Sequence, residues 1–157
     1  MPPERPASPL SGQSAHFRAL ESLYASAPVN QLFASRLEIV SEGRSRIRFE
    51  VDDSVHHAAG AAHGTIFFKM LDDAAFYAAN SLCTDRFLLT TAFNLLLTKP
   101  IVGGPIIAEG QWVSGKRRVF VADARLIDAE GEECGRGTGT FMRSHIPLTG
   151  LPGYRAA

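Results

Sequence analysis

The sequence predicts an α+β domain in which a six-stranded antiparallel sheet wraps one long central helix. Three observations lead there. Residues 63–82 are apolar almost all round, with Lys69, Asp72 and Asp73 as their only full charges. A helix without a polar face is normally buried on most sides. Six shorter segments alternate apolar and polar residues with the period of a strand. The turns joining them carry the glycine or proline that tight reversal needs, and short turns imply antiparallel meander pairing.

The elements follow in order. Phe17, Leu20, Leu23, Tyr24 and Ala27 recur at helical spacing, which predicts an amphipathic helix over 15–27, ended by Pro28. Leu37 and Ile39, then Ile47, Phe49 and Val51, alternate with charged residues around the turn Ser41-Glu42-Gly43, a hairpin with one wet face. The alanine-rich central helix, with Ala74, Ala75, Ala78 and Ala79, would be about 30 Å long. Four strands follow over 87–98, 106–114, 118–128 and 132–143. In the last, Gly135, Gly137 and Gly139 share a face, and the expectation is that the central helix comes close to that row. Residues 1–14 hold four prolines and no apolar block and read as a disordered lead; 15–145 form one domain; 146–157 read as a tail.

A chain of 157 residues, 45% hydrophobic, supports one core. Sixteen basic and sixteen acidic residues cancel, which argues against a nucleic-acid or anionic-membrane partner. Any phosphate must be held by a local cluster. No apolar run reaches the roughly 18 residues of a membrane span. Cys83 and Cys134 have no metal-ligand spacing and read as reduced thiols of a cytoplasmic protein. No Gly-x-Ser-x-Gly run supports a serine hydrolase.

Charge inside an apolar helix is costly unless paired or used. Adjacent residues point about 100° apart, so Asp72 and Asp73 cannot share one role. One account pairs Lys69 with one of them and leaves the other to solvent; the other account gives one carboxylate a chemical task. At the helix start, Gly64 leaves a backbone N–H open to a ligand, where the helix dipole is positive and an oxyanion can be held. Lys116, Arg117 and Arg118 form a basic run at a hairpin, either a solvated tip or, with Arg143, a phosphate-binding cluster.

The run from His57 to Thr65, His-Ala-Ala-Gly-Ala-Ala-His-Gly-Thr, followed by Asp72, resembles the signature of hot-dog thioesterases of the phenylacetic-acid-degradation (PaaI-like) type. The similarity continues through Ala75, Ala78, Asn80, Ser81, Thr90, Thr91, Lys99, Pro100 and the run Gly115 to Arg118, and covers about 37–143. The resemblance implies a hot-dog fold and an acyl-coenzyme A thioesterase with coenzyme A as part of the substrate, no cofactor and no metal. It implies Asp72 as general base or nucleophile, Gly64 N–H as the group polarising the carbonyl, and His63 shaping the helix start. Thr90 would help hold the attacking water. It also implies a homodimer, as a dimer of dimers, with Gly64 and Asp72 of one site on different subunits. Two departures stand out: His57 replaces the usual asparagine and adds a group that titrates near neutrality, and Thr65 replaces a glycine. Thr65, Phe68 and the basic cluster are the expected substrate contacts, and Phe67, Phe76, Phe93 and Trp112 could line an acyl tunnel or the core. The alternative is an oligomer that binds acyl-CoA without turning it over.

Overall fold

The strand alternation becomes a single six-stranded sheet in the computed structural model, which describes residues 12–156. The chain runs α1 (Gly12–Ser26), α2 (Pro28–Phe33), β1 (Arg36–Ser41), β2 (Arg44–Val51), α3 (Gly64–Asn80), β3 (Arg86–Leu97), β4 (Gly104–Ser114), β5 (Val119–Ile127) and β6 (Glu133–Pro147). All neighbouring strands are antiparallel. α3 packs on one face of the sheet, as its composition requires. Met70, Leu71, Ala74, Ala75, Ala78 and Ala79 are fully buried against Ile47, Ile106, Phe120, Leu126 and Phe141. Each of those large side chains contributes about 1.5–3 kcal/mol by leaving water.

The expected meander holds only for β4, β5 and β6. The strand order is β1-β2-β4-β5-β6-β3, so β3 lies at the far edge beside β6 and β2 pairs with β4. The cause is the crossover: residues 52–63 and α3 link β2 to β3, and α3 already begins beside the far end of β3, where a Cβ on Gly64 would lie 3.8 Å from Leu97 Cδ1.

A second expectation is also corrected. The glycine row in β6 makes room for rings rather than for helix backbone. A Cβ on Gly139 or Gly137 would lie within 2.7 Å of the Phe93 ring, and one on Gly135 would lie 3.3 Å from Phe67 Cδ1. The close backbone approach is on β4, where a Cβ on Gly110 would stand 2.0 Å from the Ala74 carbonyl oxygen. Ser45 Oγ donates to that same carbonyl at 2.5 Å.

Both ends of the chain are more ordered than expected where they are described. Of the disordered lead expected over 1–14, residues 1–11 lie outside the described set and 12–14 open α1. Pro28 ends α1 and also begins α2 from its first turn, a position that suits a residue without an N–H. The expected tail is packed: β6 continues to Pro147, Leu148 is fully buried, and the Tyr154 hydroxyl lies 2.6 Å from His16 Nδ1. His16 Nε2 donates to the Asn80 carbonyl at 2.9 Å, joining α1, the tail and the end of α3. Cys83 and Cys134 are buried free thiols. Among the described residues no helix is long and apolar enough to cross a membrane.

The two edges of the sheet are treated differently. On β1, the Ile39 N–H donates to Glu21 Oε2 at 2.8 Å and its carbonyl accepts from Arg18 Nη2 at 3.1 Å, so side chains of α1 occupy the edge. On β3, no strand among the described residues pairs with the outer side, and Leu89, Leu96 and Leu97 are about half exposed.

Candidate active site

Helix periodicity sorts the two adjacent carboxylates onto different neighbours. Asp73 faces α1 and α2. Its Oδ2 accepts from Lys69 Nζ at 2.5 Å and from the Tyr24 hydroxyl at 2.9 Å. Lys69 also donates to Asn30 Oδ1 at 2.6 Å, and its ammonium lies between the rings of Tyr24 and Phe33. Asp72 faces β3 and has no ion-pair partner among the described residues. Its Oδ1 accepts a hydrogen bond from Thr90 Oγ1 at 3.0 Å. Burial pushes the Asp72 carboxyl up to about 6, with the Asp73 charge adding to the shift and Thr90 and Lys69 opposing it. A carboxylate poised there is charged at neutral pH and still a competent base. The sequence-level account in which Lys69 takes one aspartate is right for Asp73, and the other is half-buried rather than solvated.

The start of α3 is built around His63. As N-cap, its Nδ1 accepts the Thr65 N–H at 3.1 Å, and the Thr65 hydroxyl lies at the same distance. The Ile66 N–H donates to the His63 carbonyl at 2.9 Å. The Gly64 N–H, between them in the first turn, has no acceptor among the described residues. A Cβ on Gly64 would meet only Leu97 Cδ1, at 3.8 Å, so the approach is open. Gly64 and Asp72 are eight residues apart, about 12 Å along the axis, too far to act on one carbonyl from a single chain. The three contacts Gly64 with Leu97, Phe68 with Phe93 (rings 5.7 Å apart, edge to face) and Asp72 with Thr90 show that this helix face runs alongside β3, at the open edge.

The other sequence candidates are dispersed. His57 is exposed and turns inward on its own loop, its Nδ1 accepting the Ala59 N–H at 3.0 Å. Lys116 lies over the Trp112 ring at 5.1 Å, and Trp112 Nε1 ties the hairpin by donating to the Gly115 carbonyl. Arg117 and Arg118 are exposed without an ion pair among the described residues. Arg143 does not stand free beside them: its guanidinium forks onto both carboxylate oxygens of Asp85. Phe67 and Phe76 belong to the core, while Phe68 and Phe93 flank the open face. A cleft of about 480 Å³ lies elsewhere, on the outer face of the sheet between Arg44, Gln111, Asp123 and Thr138. It contains none of the predicted site residues.

Sequence reasoning gave no positioning role to two groups that place the site. Asn80, fully buried, donates to the Cys83 and Arg86 carbonyls and accepts from the Leu88 N–H at 2.9 Å, which fixes where β3 starts relative to α3. Tyr24 and Asn30 hold the Asp73 side of the helix. A tyrosine on an amphipathic helix reads as ordinary core, so only the fold reveals its partner.

The profile of the Thioesterase superfamily matches residues 59–135, which include α3, β3, β4 and β5. A protein of Saccharolobus solfataricus, provisionally named an esterase, is 27% identical over 105 residues, 67% of this chain and 70% of its own length. The fold closely matches that of the E. coli PaaI protein from the phenylacetic acid degradation operon, with a TM-score of 0.79. That match has 17% identity over 87% of this chain and 99% of the other. A thioesterase family protein from Silicibacter pomeroyi matches with a TM-score of 0.72 and 26% identity over 79% of this chain and 96% of its own. A helix-wrapping six-stranded sheet in this strand order, matched over nearly the whole length of those structures, is the hot-dog fold, and residues 59–135 match the Thioesterase superfamily within it.

Proposed function

We propose that this protein hydrolyses acyl-CoA thioesters as a homodimer, with Asp72 as the base or nucleophile. The observation that supports this most is the isolation of Asp72: a half-buried carboxylate with no cation on it, oriented by the Thr90 hydroxyl and facing an open sheet edge. In the base route Asp72 takes a proton from water, the water oxygen bonds to the thioester carbon, and the carbonyl oxygen becomes an oxyanion. The free N–H of Gly64 in the partner subunit donates to that oxyanion. The carbon–sulfur bond then breaks, and the proton passes to the departing sulfur, giving free acid and CoA thiol.

The open edge supports the dimer. β3 is twelve residues long, unpaired on one side among the described residues and lined by exposed leucines, a template for a second strand. An antiparallel copy of β3 reverses direction, so its Leu97 end lies beside the Thr90 end of the first chain. Because α3 follows β3, the Gly64 of one subunit is carried toward the Asp72 of the other. The 12 Å gap within one chain is closed that way. Release of CoA thiol from a panel of acyl-CoAs, by wild type and by Asp72→Ala, tests the proposal. Turnover by the wild type should fall by about 10²–10⁴-fold in the variant; acyl-CoAs that bind and stabilise the protein without any thiol release would make it a binding module instead.

A further inference from the structure

Asp72 has a neighbour with no part in the proposed chemistry, and the surroundings of that neighbour are unusually complete. Asp73 is half-buried on the α1–α2 side of α3, where Lys69 and Tyr24 both donate to its Oδ2. Tyr24 is itself held by the Ser35 hydroxyl at 2.7 Å. Lys69 is half-buried, its side chain 13% exposed, anchored by Asn30, with an aromatic ring on either side. Tyr24 of α1, Asn30 and Phe33 of α2 and, through Tyr24, Ser35 of the following loop thus converge on one charge pair. Stability alone is a poor reason for such a site, since apolar residues of similar volume commonly serve as well as a buried ion pair.

Position on the helix supplies another reason. Lys69 precedes Asp72 by three residues and Asp73 by four, so its ammonium lies on the same stretch of surface as both. Two adjacent carboxylates in a low-dielectric setting cannot both ionise easily. A fixed cation on Asp73 offsets part of the repulsion its negative charge exerts on Asp72. We propose that Lys69 is a positioning residue of the candidate site: by pairing with Asp73 it leaves Asp72 as the one carboxylate of α3 free to exchange a proton. This inference rests on the hydrolase reading for its purpose, but not for its test.

The groups around Asp72 are few. α3 itself brings Lys69, Asp73 and the buried Tyr77, β3 brings the Thr90 hydroxyl, and Tyr24 of α1 reaches only Asp73. Burial raises the Asp73 carboxyl, and Lys69 and Tyr24 draw it back by bonding to its ionised oxygen. Removing Lys69 alone should therefore leave Asp73 to repel a charge on Asp72, and removing Asp73 alone should leave an unbalanced cation beside it.

The experiment is a carboxyl NMR titration of Asp72 in the full-length protein, read beside the pH profile of kcat/KM. Lys69→Met should move the Asp72 titration up by about one pH unit and Asp73→Asn should move it down by about as much. The double variant, with neither charge, should return to within about 0.3 unit of wild type. Shifts of the same sign in both single variants, or no shift in either, overturn the proposal, because lost packing alone has no reason to reverse sign. Should Lys69→Met fail to fold, a fall in Asp73→Asn that the double variant does not restore overturns it equally. The titration needs no substrate. Absent thioester turnover in the wild type would sink the hydrolase reading, whereas the direction of these shifts alone decides the role of Lys69.

Discussion

The two edges of the sheet begin from the same physical liability and resolve it in opposite ways. An edge strand presents unpaired backbone groups that invite another strand. β1 answers with side chains: Glu21 takes the Ile39 N–H and Arg18 its carbonyl, while the two pair with each other at 3.0 Å. β3 keeps its outer side bare and adds exposed leucines. The predicted chemistry follows the bare edge. Asp72, Phe68 and Gly64 all face β3, whereas Asp73, the aspartate tied up in an ion pair, faces α1 and α2, the helices before β1. The lesson is that the protected edge completes the monomer and the open edge is where a second chain would complete the site.

The contrast can be broken most severely on β3. Leu96→Lys, placed among the exposed leucines, should turn the protein into monomers by size-exclusion light scattering and lower thioester hydrolysis by about 100-fold or more, because each site would lose the oxyanion donor of its partner. A monomeric variant with full turnover would show that one chain holds the whole site.

A smaller effect concerns charge on the open side. The folded Asp72 carboxyl titrates at about 6, above the usual carboxylate value. Sign follows from that. Between about pH 4 and 6 the unfolded chain has released this proton and the folded chain retains it, so stability falls as pH rises through that window. Above 6 the cost is constant. Asp72→Asn should therefore stabilise the fold by about 2 kcal/mol at pH 7 in denaturant melts, with no gain at pH 3. In the wild type kcat/KM should fall about tenfold per pH unit below 6, where the base is protonated. An Asn variant no more stable than wild type at neutral pH would mean that Asp72 is not desolvated.

The mildest change lies on the protected edge. Glu21→Ala removes the acceptor of the Ile39 N–H and should cost about 1 kcal/mol. Turnover should be unchanged. A loss of dimers in this variant, measured by the same light scattering, would show that β1 takes part in assembly.

Much of the fold was legible because it depends on local pattern. The helical run without a polar face had to be covered, and its cover had to come from strands that alternate, which is enough for a sheet wrapped on a helix. The ordering of those strands was not legible. Alternation states which face of β3 is apolar, and nothing in it states whether β4 or β6 lies alongside; the crossover through residues 52–63 and α3 decided that. The glycines divide in the same way. Gly135, Gly137 and Gly139 announce missing side chains, but which neighbour fills the space, the ring of Phe93 or the backbone of Ala74, depends on contacts made far along the chain.

The candidate site divides likewise. The sequence by itself determined that His63 and Gly64 start a buried helix and that two aspartates sit two turns inside it. Local propensity and the dipole of a helix end require nothing from elsewhere. Only the tertiary structure distinguished Asp72 from Asp73. The two have the same chemistry and adjoining positions, and their environments differ because Tyr24, Asn30 and Lys69 meet one while Thr90, on a strand brought round from the opposite edge, meets the other. A charge acquires its role from what surrounds it, and those surroundings are assembled from residues up to 49 positions away.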